Sequence, residues 1–306
     1  MNALKRFQTV NKGKPLYDGS FPAYSKDSKT LFYGLYPQTH VSDEKLISEL
    51  EKLTPLENGW CLYKGNYYVK IFGKPSPEMY TVPPDCDCET AENPPEEKRL
   101  QFDDRFSDGT LFKPGDAFWF KCEPIEWLIL DRLDAEGACF VISKLVLDTR
   151  RFSGISDNYR YSEIREWLNN DFYQKAFPLN ESYILTTEID NSLPPTRKKR
   201  RDYKDFLPKL KDKVFLLSVE DYNDPKHFDD DAPTLCGTTD WVMANGGDIY
   251  RGHLGYWTRT ANSKDYLEFP LYPMAVTSSG VYARGRIALY EGGVRPALRI
   301  KLPKED

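Results

Sequence analysis

The chain has 306 residues, 40% hydrophobic and 29% charged, with a formal charge of -5 and a pI near 5.5. That balance argues against a dedicated nucleic-acid binder or a protein held on acidic membranes, and no window approaches the ~20 apolar residues of a spanning helix. The unusual feature is the aromatic content, 14% with 20 Tyr and 17 Phe, which favours strands and aromatic-lined surfaces.

Residues 1–14 are basic but no apolar run follows them, so they read as neither a signal peptide nor a membrane anchor. Six cysteines (Cys61, Cys86, Cys88, Cys122, Cys139, Cys236) are too sparse for a disulfide scaffold. The expectation is free thiols in a reducing cytoplasm. Length alone allows two average domains or one large β-rich domain with insertions.

Period-2 alternation bounded by Gly, Pro and Asp predicts short strands at 31–36, 66–71, 116–120, 125–130 and 138–143. Turn chemistry at 134–137, with Gly137 free to take a positive φ, predicts that the last two form a hairpin. Val294, Pro296, Leu298 and Ile300 alternate with polar or small residues and predict one half-buried final strand. Two helices are predicted. In 43–53, Leu46, Ile47, Leu50 and Leu53 form one apolar stripe; in 162–176, Ser162 is the N-cap and Ile164, Trp167, Leu168, Phe172 and Ala176 line one side. Both stripes are core-facing, and Trp127 and Trp167 are predicted core residues.

Two charged insertions interrupt this pattern. Residues 83–109 hold nine acidic and three basic side chains, and 197–213 hold nine basic and three acidic, opening with Arg197-Lys198-Lys199-Arg200-Arg201. Both read as solvated loops. The first is expected to be dispensable for folding, and their opposite charge allows docking on each other or on a partner. Five adjacent cations can also neutralise phosphates, but no fold motif for sequence readout accompanies them.

Several motifs occur in order: Phe32-Tyr33-Gly34-Leu35-Tyr36-Pro37-Gln38-Thr39, Tyr63-Lys64-Gly65-Asn66-Tyr67-Tyr68, Trp119 to Trp127, Trp167-Leu168-Asn169-Asn170-Asp171-Phe172-Tyr173, Asp212 to Ser218, Tyr256-Trp257-Thr258-Arg259, and Gly293-Val294-Arg295-Pro296-Ala297-Leu298. The set resembles a large family of bacterial domains of unknown function, common in Firmicutes and spirochaetes, over about residues 30–302. The last two motifs also look like the end of the formylglycine-generating-enzyme branch of the C-type-lectin fold, which the variable proteins of diversity-generating retroelements share. The resemblance implies an α+β, C-type-lectin-like fold with a twisted, mainly antiparallel sheet and two helices. Residues 1–29 are then an N-terminal extension and 30–302 a single domain carrying both insertions.

The chemistry of those relatives does not carry over. Formylglycine-generating enzymes work through a pair of cysteines in their C-terminal part, whereas Cys236 is the only cysteine after Cys139. Related iron-dependent sulfoxide synthases need a histidine cluster; His40, His227 and His253 are far apart in sequence and read as surface residues. Cys86-Asp87-Cys88 lacks zinc spacing, Asp229-Asp230-Asp231 lacks a calcium-loop pattern, and Asn245-Gly246-Gly247-Asp248 reads as a turn. No catalytic residue, metal or cofactor is expected.

The informative stretch for binding is 250–290, where Tyr and Arg alternate in the composition of recognition surfaces. Trp257, Arg259 and Arg295 are assigned to the framework. The candidate ligand-binding residues are Tyr250, Tyr256, Asn262, Tyr266, Tyr282, Arg284, Arg286 and Tyr290. The predicted function is a non-enzymatic module that binds a protein or other macromolecular surface through this region. An enzyme of another type on the same fold is the alternative, and a nucleic-acid-associated accessory protein using the basic loop is the third. The pattern names no ligand and no oligomeric state.

Overall fold

Alternation makes strands of the predicted segments, but long-range pairing decides where each strand ends. A computed structural model of the chain describes residues 18–25, 29–75, 103–133, 137–154, 156–191, 209–228, 235–249, 252–261, 273–277, 282–284 and 291–302. Its strands in chain order are β1 Ala23–Tyr24, β2 Thr30–His40, β3 Cys61–Tyr63, β4 Asn66–Phe72, β5 Ala117–Leu133, β6 Ala138–Ser143, β7 Asp148–Arg151 and β8 Ile184–Leu185. They continue with β9 Thr187–Asp190, β10 Lys209–Asp212, β11 Tyr256–Ala261, β12 Pro273–Val276, β13 Tyr282–Arg284, β14 Glu291–Val294 and β15 Ala297–Lys301.

Among the described residues, eight strands form one sheet in the order β1-β2-β5-β6-β15-β8, with β4 also pairing β5 and β3 pairing β4. Five form a second in the order β13-β12-β11-β14-β7, and β9 and β10 make a separate ribbon. Pairing is antiparallel except between β11 and β14. With few helices the chain is α+β. The predicted β5–β6 hairpin is present, Leu133 opposite Ala138 and Gly137 at φ 59°.

Several boundaries differ from those predicted. The two strands expected at 116–120 and 125–130 are one strand, β5, with Pro124 inside it. The single final strand is two: β14 belongs to the five-stranded sheet and β15 to the eight-stranded one, the chain crossing between them at Arg295-Pro296. β1, within the supposed extension, pairs with β2.

The first helix, α1 Glu44–Leu50, is capped by Asp43, whose carboxylate accepts the N–H of Lys45 and Leu46. It ends a turn before Leu53, ahead of Pro55, which cannot continue a helix. The second predicted helix has three parts: α2 Glu163–Trp167, a π turn Leu168–Phe172 and α3 Tyr173–Ala176, with Ser162 Oγ accepting from the Arg165 N–H at 3.3 Å. Ile164, Leu168, Phe172 and Ala176 are buried as predicted, whereas Trp167 is only half-buried. The helical stretch packs across β2 at Gly34, whose φ is +74°; a Cβ there would lie 2.6 Å from the Ala176 carbonyl oxygen.

The insertions are less separate from the fold than their composition suggests. Residues 83–102 lie outside the described residues, but 103–109, otherwise exposed, are anchored to the core by one side chain. Phe106 is 3% exposed and stacks on His40 with centroids 4.4 Å apart, and the Asp103 N–H donates to the Ile249 carbonyl at 2.8 Å. Likewise 209–212, the end of the basic insertion, is strand β10, with Leu210 and Asp212 buried. Replacing 83–102 with a short Gly-Ser linker is therefore expected to keep a cooperative thermal transition. Extending the replacement through Gly109 is expected to cost about 3–5 kcal/mol through loss of Phe106; equal melting curves for the two variants would contradict this.

Candidate functional site

Motifs distant in sequence meet around one segment, 212–218. From one side the π turn presents Asn169, whose Oδ1 accepts the N–H of Lys213 (2.8 Å) and Val214 (3.2 Å), and whose Nδ2 donates to the Val214 carbonyl (2.9 Å). From the other, Arg259 on β11 donates to the Leu216 carbonyl (2.8 Å), to the Asp190 carbonyl (2.9 Å) and to the Asp221 carboxylate. A buried polar group needs such partners to offset its lost hydration. Arg165 closes the ring by gripping the Asp212 carboxylate, with Nε at 2.9 and 3.0 Å and Nη2 at 2.6 Å.

The other motif residues are framework too. Arg295, 1% exposed, donates to the Ser143 carbonyl (2.9 Å) and the Tyr256 phenol (3.2 Å), bridging the two sheets. Burial works against its charge, but the Cys236 thiol and the phenols of Tyr222 and Tyr256 outweigh it and hold the guanidinium above its usual range. Trp257 lies against Gly292, where a Cβ would fall 2.5 Å from the indole, and its N–H donates to the Arg150 carbonyl at 2.8 Å. Asp148, 1% exposed, accepts from Tyr36, Asn245 and the Thr149 N–H, tying β2 and the turn at 245–248 to β7. The assignment of Trp257, Arg259 and Arg295 to structure holds.

Of the predicted ligand-binding residues, Tyr256 is corrected. It is 1% exposed, on a strand buried along its whole length, and burial raises its phenol pKa. Its phenol oxygen accepts from Arg295 at 3.2 Å. Tyr250, Asn262, Tyr266, Arg286 and Tyr290 lie outside the described residues. Tyr282 and Arg284 are the ends of β13, which is the outermost strand of its sheet among the described residues and pairs with β12 as Val276 to Tyr282 and Met274 to Arg284. Cys86-Asp87-Cys88 and Asp229-Asp230-Asp231 also lie outside the described residues, as do Arg197–Arg201.

Of the three histidines expected at the surface, His40 is buried and the other two are partly exposed. His40 is 9% exposed at the end of β2, with Nδ1 2.9 Å from Asp108 Oδ2; His227 and His253 are half-buried, each with Nδ1 at a backbone carbonyl oxygen, of Asp221 (3.1 Å) and Cys236 (3.2 Å). No three His, Cys, Asp or Glu side chains among the described residues are grouped to hold a metal ion. Burial pulls the Asp108 carboxyl upward, but the Thr110 N–H and the His40 ring outweigh it and hold the group well below the usual carboxylate range. A depressed folded pKa contributes stability that is present above the unfolded value, about 3.9, and is lost as pH falls below it. Asp108→Asn should therefore lower the melting temperature at pH 7, with the gap from wild type narrowing once pH drops under about 4. A gap that stays constant down to pH 3 would remove the pair from the acid response.

A second concave feature lies on the eight-stranded sheet, where a cleft of about 380 Å³ opens beside β5. Glu123 and Glu126 line it, together with Phe32 and Leu35 of β2 and Leu145 and Leu147 beyond β6. Cys122 also lines it, and burial raises its thiol pKa well above the usual range. Sequence reasoning missed this cleft because its walls come from strands that only pairing register brings together.

The buried polar frame and the two sheets define an α+β domain whose motif residues hold structure. A family model described as a domain of unknown function (DUF6273) matches residues 136–302, more than half of the chain, and the chain belongs to that family. The match begins at β6, so the motifs at 32–39, 63–68 and 119–127 lie ahead of it. No curated protein and no solved structure matches the chain.

Proposed function

We propose that this chain is a non-enzymatic binding module on a C-type-lectin-like core, recognising a protein or other macromolecular surface through the aromatic and arginine-rich stretch 250–290. The observation that carries this reading is the contrast within that stretch. β11 is buried along its length and anchors the frame, while Tyr282 and Arg284 end the strand that is outermost in the same sheet among the described residues. Recognition faces concentrate Tyr and Arg because each offers a large contact area and directional hydrogen bonds at modest entropic cost. The mainly antiparallel sheets and the ordered motifs support the lectin-like architecture. Reduced Cys61, Cys122, Cys139 and Cys236 support a cytoplasmic location. Among the described residues no helix is long and apolar enough to cross a membrane.

The test is affinity capture from native lysate at two salt concentrations, with wild type and a Tyr266→Ala, Tyr282→Ala, Arg284→Ala variant side by side. The variant should keep stability within about 1 kcal/mol and lose the partner that wild type retains. Unfolding of the variant would assign these side chains to the core. A folded variant that still recovers the same partner would move the site elsewhere.

A further inference from the structure

Strand β5 takes a single strand, β2, on one edge and two strands, β4 and then β6, on the other, with a gap between those two. On one edge β2 pairs from Phe120 to Leu128. On the other, β4 reaches only as far as Tyr67 opposite Cys122, and β6 begins at Ser143 opposite Trp127. The Lys144 N–H, next to β6, donates to the Glu126 carbonyl at 2.9 Å, so residues 123–125 fall between the two partners, and Pro124, which has no N–H to give a ladder, sits inside the gap. The sheet forks here, and the fork holds the cleft of about 380 Å³, a size suited to a small molecule or a single side chain.

The cleft combines apolar walls with fixed charge. Phe32, Leu35, Leu145 and Leu147 supply the walls, and Glu123 and Glu126 flank Pro124. Each carboxylate is oriented by a β2 hydroxyl: Thr39 Oγ1 donates to Glu123 at 2.6 Å and Thr30 Oγ1 to Glu126 at 2.9 Å. Each also meets one lysine, Lys121 at 3.4 Å and Lys144 at 2.9 Å. Those lysine side chains are 31% and 49% exposed, so both pairs are weak and solvent-screened. A carboxylate has about four acceptor positions, and these contacts leave some of them open. The lining carries three carboxylates, with Asp18, against Lys121, and Lys144 pairs with Glu126, a balance that is still negative and disfavours an anion.

We propose that the fork binds an alkylammonium group, a primary ammonium on an apolar stem, with its head at Glu123 or Glu126 and its stem against Phe32, Leu35 and Leu145. The group can belong to a free diamine or to a lysine side chain of a peptide. Most of the cleft lies ahead of the matched family stretch, so this site is separate from the 250–290 region, and neither proposal depends on the other.

Isothermal titration calorimetry on the full chain tests the proposal with three probes: 1,5-diaminopentane, an acetylated and amidated Gly-Lys-Gly peptide, and neutral 1,5-pentanediol. At least one amine should bind saturably and the diol should not. At least one of Glu123→Gln and Glu126→Gln should weaken the amine about tenfold or more, while Glu163→Gln, a carboxylate that pairs with Arg151 elsewhere, should leave it unchanged. Binding of the diamine alone identifies a free polyamine as the source, of the peptide alone a lysine-bearing partner, and of both the ammonium and stem as sufficient. Leu145→Lys, at a half-buried wall position, should block binding with both carboxylates intact and serves if a Gln variant fails to fold. No saturable binding by either amine, equal binding of the diol, or binding indifferent to both Gln variants and to Leu145→Lys would overturn the proposal.

Discussion

Replacing Trp127 by Ala is expected to lower stability by about 3–5 kcal/mol. The side chain is 0% exposed, stacks on Phe177 at a centroid distance of 6.5 Å, and donates its indole N–H to the Tyr33 carbonyl at 2.8 Å. Truncation removes the ring's contacts and leaves a buried carbonyl without its donor. Trp167→Ala should cost less, because Trp167 is half-buried and part of its contact is the Arg150 guanidinium, 4.6 Å from the ring centroid. Urea titration of both variants checks this. Equal losses, or a Trp127 loss under about 1 kcal/mol, would contradict the burial difference.

Arg165→Ala is expected to cost a similar amount, about 3–5 kcal/mol, for a different reason. Asp212 is 3% exposed, and Arg165 supplies its three closest donor contacts. Without the guanidinium a buried carboxylate keeps its desolvation cost and loses its counter-charge. The variant Arg165→Ala with Asp212→Asn removes that charge and should recover part of the loss. If the double variant is no more stable than Arg165→Ala alone, the damage lies in packing of the arginine stem instead.

What could be read in the sequence was what depends on neighbours along the chain. Asp43 and Ser162 announce their helices because caps act over three residues, and 138–143 announces its strand because alternation is local. The misreadings involve proline and composition. Pro124 looks like a strand end, yet it sits where β5 has no partner on one edge, the place a strand tolerates it. Pro296 was absorbed into an alternating run although it marks the crossing between sheets. At 103–109 the acid count concealed Phe106, a single aromatic that fixes the segment. The candidate site divides in the same way: Trp257, Arg259 and Arg295 were recognisable as frame from their motifs, but Tyr256 was not, because its burial comes from the pairing of β11 with β12 and β14. The fork between β4 and β6 needs the register of four strands and left no local trace.

The crossing at Arg295-Pro296 bears on how the chain is made. β14 lies between β11 and β7, and β15 between β6 and β8, so the span 291–301 completes both sheets. Ile142 of β6 must wait for Ala297, an interval of roughly ten to thirty seconds at ribosomal speeds of about 5–20 residues per second. Through that time β6 and β7 each present an unpaired edge, the kind of surface that invites wrong partners. Closure of both sheets therefore waits for residues 291–301.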